Sequence, residues 1–249
     1  MRGGFSFRSK MNKENFPKHI AIIPDGNRRW AKKKGLFPWQ GHLEGAERTE
    51  ELIQASFDLK IKCLSIWGSS LNNLIKRPEK EVKVLFKIYE KYFKKLIKKK
   101  EIHQNRVKVN IIGRWSEILP KKGVEVIKEL IKVTKDYDQY FLNFLVGYNG
   151  TDEMLAAIKD IAKEARKDKN LKITEKTLKK NLWSGHLPPI DFLIRTGSKG
   201  DPHNSVGFMM WYCANSQLYF TDTTYPDFNK KEFNKAINDF VRRQRRFGK

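Results

Sequence analysis

The segment Pro24-Asp25-Gly26-Asn27-Arg28-Arg29-Trp30 brings an acid, a glycine, an amide, two guanidinium groups and an indole together. A glycine lets backbone approach a ligand closely, and an asparagine suits the opening of a helix. Helix N-terminal N–H groups beside two arginines make a site for a multiply charged anion, phosphate or diphosphate. In such a site Asp25 is repulsive unless a divalent cation stands between carboxylate and anion, or a proton has to move. The chemistry implied is a reaction on a phosphorylated substrate with Mg²⁺.

These residues need a scaffold, and the run Ile20-Ala21-Ile22-Ile23 before them reads as a buried strand. Pro24 closes it, because proline cannot donate to a ladder. Similar runs recur at Ile61–Trp67, Val107–Ile112, Tyr140–Val146, Ile190–Ile194 and Leu218–Phe220. Helical spacing separates most of them: Leu43, Ala46, Ile53, Phe57; Val82, Leu85, Phe86, Tyr89, Phe93, Leu96; Met154, Leu155, Ile158, Ile161; and Phe233, Ala236, Ile237, Phe240. The alternation predicts one α/β domain over residues 18–249, with a central, mostly parallel sheet flanked by helices. A flexible basic tail of residues 1–17 precedes it. Asp25, Gly68–Ser70, Gly147–Gly150 and Arg195–Thr196 each follow a strand, so the polar groups should gather on its carboxyl rim.

Composition sets bounds. A chain of 249 residues with 39% hydrophobic content and six tryptophans has enough material for a real core. No apolar run reaches the ~20 residues of a membrane span, and no signal-peptide core is seen, so a cytoplasmic enzyme is expected. The two cysteines, Cys63 and Cys213, lack metal-ligand spacing and read as buried thiols. The phosphate loop Gly-x-x-x-x-Gly-Lys-Ser/Thr, the dinucleotide fingerprint Gly-x-Gly-x-x-Gly and a paired Asp-Asp-x-x-Asp metal motif are all missing. A net charge of +23 attracts anionic lipid, a polyanionic substrate or nucleic acid. A basic nucleic-acid-binding module is therefore the rival reading.

The ordered blocks His19 through Ala31, Gly41-His42-Leu43-Glu44-Gly45-Ala46, Arg77-Pro78-Glu79-Lys80-Glu81-Val82, Asp191 through Gly197, Leu218-Tyr219-Phe220-Thr221-Asp222, Pro226-Asp227-Phe228 and Arg245-Arg246-Phe247-Gly248 resemble the cis-prenyltransferase family. The resemblance covers nearly the whole chain. It implies condensation of isopentenyl diphosphate with an allylic diphosphate, such as farnesyl diphosphate, to a cis-polyprenyl diphosphate that serves as precursor of a glycan-carrier lipid. It also implies Mg²⁺, a homodimer, no nucleic-acid partner and an apolar tunnel lined by the Leu43–Phe57 and Val82–Leu96 helices. A greasy product and a basic chain together predict peripheral contact with anionic membrane. A few more residues lie between Val82 and Ile111 than in short medium-chain relatives, which goes with a longer product.

The resemblance also assigns residues. Asp25 matches the essential, Mg²⁺-holding aspartate. Gly26, Asn27, Arg28, Arg29 and His42 match groups around the allylic diphosphate, with Trp30 at the pocket wall. Ser70, Leu71, Asn72, Asn73 and Leu74 fall on a substrate loop, in which the asparagine, here Asn73, is tied to deprotonation. An amide is a weak base, so its duty is to orient substrate while diphosphate takes the proton. Asn72 replaces an acid there and Leu74 an aromatic. Arg77, in its own block, matches a substrate-binding arginine. Arg195 matches the arginine that binds isopentenyl diphosphate, and His203 and Ser205 fall on the Arg-x-Ser run beyond it, His203 standing where an arginine is usual. Gln217 replaces a metal-binding glutamate. With these changes, an unusual acceptor or a short product is a further alternative.

Overall fold

Strand β1 (His19–Ile23) is buried along its whole length, because its side chains alternate between two hydrophobic cores. The structure, a computed structural model, describes residues 16–243. Most of the expected tail of residues 1–17 and the Arg245-Arg246-Phe247-Gly248 block lie outside the described residues. After β1 come α1 (Asn27–Lys33), α2 (Pro38–Asp58), β2 (Cys63–Ser69), α3 (Leu71–Lys76), α4 (Glu79–Lys98) and α5 (Lys100–Gln104). They are followed by β3 (Val107–Ile112), α6 (Trp115–Ile118), α7 (Lys121–Thr134), β4 (Tyr140–Val146), α8 (Gly150–Lys167) and α9 (Glu175–Asn181). The described chain closes with β5 (Phe192–Arg195), β6 (Gln217–Phe220) and α10 (Lys230–Arg242).

The strands form a six-stranded sheet in the order β3-β4-β2-β1-β5-β6, every pairing parallel. Ile20 and Ile22 face a core shared with α2, α4, α7 and α10, whereas Ala21 and Ile23 face one that includes Ala157 of α8 and Leu182. The expected α/β architecture is therefore present as three layers. Helix α7, built on Val126, Ile127 and Leu130, is an addition to the helices expected above. The chain leaves β1 toward β2 on one side, and β5 lies on the other. The β1–β5 boundary is thus the topological switch point, where a crevice opens at the strands' carboxyl ends.

A buried polar ladder ties four strands together beneath that crevice. Pro188 can only accept at its carbonyl, so His19 Nδ1–H donates to it (2.8 Å) and Nε2 accepts from the Ser65 hydroxyl (2.8 Å). Asn143 donates to the same hydroxyl (3.0 Å), and Asn110 donates to Asn143 (2.8 Å). Burial drives His19 down to about 4, so it stays neutral when folded and charges near its ordinary pKa of about 6.5 when unfolded. A depressed folded pKa gives stability that is complete above about pH 6.5 and lost as pH falls toward 4. The expected loss is about 3 kcal/mol. Denaturant unfolding at pH 7 and pH 4.5 checks it, and His19→Gln should flatten the difference.

Candidate active site

Asp25 stands at the switch point, one residue past the Pro24 that closes β1. Arg195 ends β5 in register with Ile23, so strand pairing alone carries it to the carboxylate. Its Nη2 meets Asp25 Oδ2 at 3.0 Å, and Arg29 Nη2 meets Oδ1 at 3.1 Å from one turn along α1. Gly26 N–H donates to Oδ1 at 2.6 Å. The backbone is held as firmly: Asp25 N–H donates to Thr196 Oγ1 and Tyr225 N–H to the Asp25 carbonyl, both at 3.0 Å. Gly26 caps α1 at φ 98°, a left-handed conformation, and an added Cβ would lie 2.9 Å from Thr224. The helix cap is thus Gly26. Asn27 is the first helical residue, and its side-chain amide donates back to the Pro24 carbonyl at 2.9 Å.

A second ionic cluster lies where α2 meets α4. Glu81, only 2% exposed, accepts from His42 Nε2 at 3.0 Å and pairs with Arg77 and Arg28 at 3.5 Å each. Burial pushes its carboxyl up, but the His42 hydrogen bond and the two arginines outweigh that and hold it below its usual range. Burial lowers His42 despite the Glu81 contact, so the ring is neutral at pH 7. Glu81 is a buried member of the cluster that the expectations above leave out, although it stands four residues after Arg77 in the same quoted block. Glu81→Gln leaves two arginines without their buried counter-charge, and it should cost about 2 kcal/mol of unfolding free energy. A thermal melt checks this.

Ser70 and Asn73 lie just past β2. The Ser70 hydroxyl caps α3 by accepting from Asn73 N–H at 3.0 Å. Asn73, Leu71 and Leu74 are half-buried and Asn72 is exposed. Four expected residues sit differently. Trp30 is absent from the cavity wall; it packs in and donates from Nε1 to Asp227 at 2.8 Å. His203 meets Arg195 through its backbone carbonyl (2.7 Å), while its ring turns to Asp201 (2.9 Å). Ser205 starts a short 3-10 turn, where its carbonyl accepts from Phe208. Gln217 opens β6 opposite Phe192, three residues short of Arg195, or roughly 10 Å down the strand. Its amide oxygen accepts from Arg243 at 3.4 Å. Parallel register therefore separates Gln217 from Asp25 within one chain, and the two cannot hold one ion there.

Beside Asn27 and His42 the site runs into a narrow apolar cavity of about 110 Å³. Ala46 and Ile53 of α2, Leu85, Ile88, Phe93 and Leu96 of α4, and Ile66 and Phe144 of the sheet line it. The lining follows α4 from Leu85 to Lys99, roughly 21 Å at the helical rise. A cationic crevice joined to an apolar cavity suits a ligand with an anionic head and an apolar body.

Comparison with known proteins agrees. Residues 23–248 match the profile of the family described as "Putative undecaprenyl diphosphate synthase". Over 236 residues the chain is 39% identical to the tritrans,polycis-undecaprenyl-diphosphate synthase (geranylgeranyl-diphosphate specific) of Pyrococcus abyssi, spanning 94% of this chain and 87% of that one. The protein of the same name from Methanopyrus kandleri is 38% identical over 243 residues, 96% of this chain and 88% of its own. Lavandulyl diphosphate synthase from Lavandula x intermedia, solved in complex with dimethylallyl diphosphate, superposes with a TM-score of 0.87 at 29% identity. That match covers 95% of this chain and all of the other. The chain belongs to the undecaprenyl diphosphate synthase family and is a cis-prenyltransferase. The rival nucleic-acid-binding reading is not favoured. Among the described residues no helix is long and apolar enough to cross a membrane.

Proposed function

We propose that this protein extends an allylic diphosphate with isopentenyl diphosphate units into a cis-polyprenyl diphosphate, precursor of a glycan-carrier lipid. The observation that carries the reading is the Asp25–Arg29–Arg195 cluster at the switch point, opening on the apolar cavity. The names of the Pyrococcus and Methanopyrus relatives support geranylgeranyl diphosphate as the primer. Arg29, the Gly26 N–H and the start of α1 hold the allylic diphosphate, and its hydrocarbon runs into the cavity. Arg195 takes the diphosphate of isopentenyl diphosphate. The allylic C–O bond breaks as the new C–C bond forms, and a proton leaves the condensed unit. Asn73 orients that unit while a diphosphate oxygen takes the proton.

The donor set fits Mg²⁺. Among the described residues no three His, Cys, Asp or Glu side chains cluster, and the carboxylate at the switch point is Asp25. Mg²⁺ commonly binds through one or two carboxylates plus substrate phosphate oxygens, which this crevice would provide. When bound, the ion stabilises the charge that develops on the departing diphosphate. The Asp25 carboxylate is 37% exposed and can exchange an arginine contact for the metal. Incubation of the purified protein with labelled isopentenyl diphosphate, Mg²⁺ and geranylgeranyl or farnesyl diphosphate, followed by chromatography of the lipid, tests the reading. Failure of every allylic primer to yield a radiolabelled polyprenyl would overturn it.

The same reading includes a cytoplasmic homodimer that touches anionic membrane. It also makes the cavity the tunnel for the growing chain. Ala46→Trp then fills the wall one turn beyond His42, and the product distribution should shift to shorter chains. Reversed-phase thin-layer chromatography reads the shift.

A further inference from the structure

We infer that the corner between α1 and α2, with the first turn of α4 and the end of α3, is the surface that docks this enzyme on an anionic lipid bilayer. The inference deepens the membrane part of the proposed function and rests on it. Phe37 is 61% exposed and Ile75 70%, with Leu36 and Leu43 also exposed. Folded chains seldom leave large apolar side chains gathered in the open without a partner. Their setting is rigid. Pro38 starts α2, the Phe37 N–H is capped by Gln40 Oε1 at 3.0 Å, and the Phe37 ring stacks on Trp39 at 4.4 Å.

Lysines frame these groups. Lys32, Lys33 and Lys34 end α1 and lead into the corner, and Lys76 follows Ile75. Lys80 lies over the rings of Trp39 (4.7 Å) and Phe37 (6.0 Å), which joins the start of α4 to the corner as one surface. Its neighbour Glu79 is already engaged by Lys83 at 2.5 Å, so it does not cancel that charge. Aromatic and aliphatic groups between lysines suit a headgroup region, where rings and stems enter the interface and ammonium groups meet lipid phosphates. The patch also neighbours the His42 end of the cavity lining. Leu43 directly follows His42, which lines the cavity, and Arg77 reaches His42 at 3.3 Å from two residues past Ile75.

The test is flotation of the purified full-length protein with vesicles of phosphatidylcholine alone and of phosphatidylcholine mixed with phosphatidylglycerol. Binding should need the anionic lipid and weaken as salt rises. Lys33→Glu with Lys80→Glu should lower the partition coefficient by at least about five-fold per lysine. Phe37→Ser with Ile75→Ser should lower it at least as much. Both variants should keep wild-type activity in detergent without vesicles. Brominated lipid in the anionic vesicles should quench wild-type tryptophan fluorescence, and Trp39→Phe should remove most of that quenching. Equal binding to neutral vesicles, or unchanged binding in both double variants, would overturn the inference. So would a Phe37→Ser, Ile75→Ser protein that binds vesicles normally but changes its sedimentation coefficient, since the patch would then serve a second copy of the chain. Absence of polyprenyl product in detergent would instead sink the proposed function, whatever the vesicles show.

Discussion

Asp25→Asn should lower kcat/KM by roughly 10³-fold or more while leaving the melting temperature within a few degrees. The amide keeps the shape and can still accept from Gly26 N–H through its oxygen. What it loses is the negative charge that two arginines flank and that a divalent ion would need. The fold does not depend on that charge, because the backbone of Asp25 is fixed separately by Thr196 and Tyr225. Removing the carboxylate leaves Arg29 and Arg195 as neighbouring like charges, so a diphosphate should bind as well or better without metal. Steady-state kinetics across a Mg²⁺ titration, with equilibrium binding of the allylic diphosphate, checks both halves. Tight binding with lost turnover is the expected signature. Loss of both together would mean that Asp25 serves only to order the loop.

The sheet was legible because each strand is a short apolar run ended by a turn residue, and each of the six expected runs overlaps an observed strand. The corner at Asp25 was legible for a related reason: strand, glycine and helix start follow one another locally, so sequence order carries the geometry. Contacts made at long range were less open to reading. Glu81 meets His42 across 39 residues of sequence, and only the packing of α2 on α4 shows that the two share a cluster. Gln217 teaches the converse. Its block adjoins the site in a motif comparison, yet parallel pairing with Phe192 sets it at the amino end of the sheet, away from Asp25. Trp30 differs for a third reason. An indole next to a catalytic motif suggests a pocket wall, but its one donor found Asp227 and drew the ring onto the chain beyond β6. Side-chain hydrogen bonds of that kind have no local signature.

Arg195→Gln should reduce kcat/KM for isopentenyl diphosphate by roughly 10²- to 10³-fold, with most of the change in KM. Burial is what makes this guanidinium effective, since its side chain is only 8% exposed and its charge is poorly screened by water. Two of its nitrogens are committed, Nη1 to the His203 carbonyl and Nη2 to Asp25. The third, Nε, is buried without a partner among the described residues. A buried N–H left unpaired is costly, and a phosphate oxygen in the crevice is the acceptor that would relieve it. Arg195→Lys tests the geometry apart from the charge. An ammonium keeps the positive charge but cannot reach the carboxylate, the carbonyl and a phosphate along three fixed directions. It should therefore recover only a small part of the loss. Full rescue by lysine would show that Arg195 acts as bulk charge alone. An effect confined to the allylic substrate would move Arg195 to the other diphosphate.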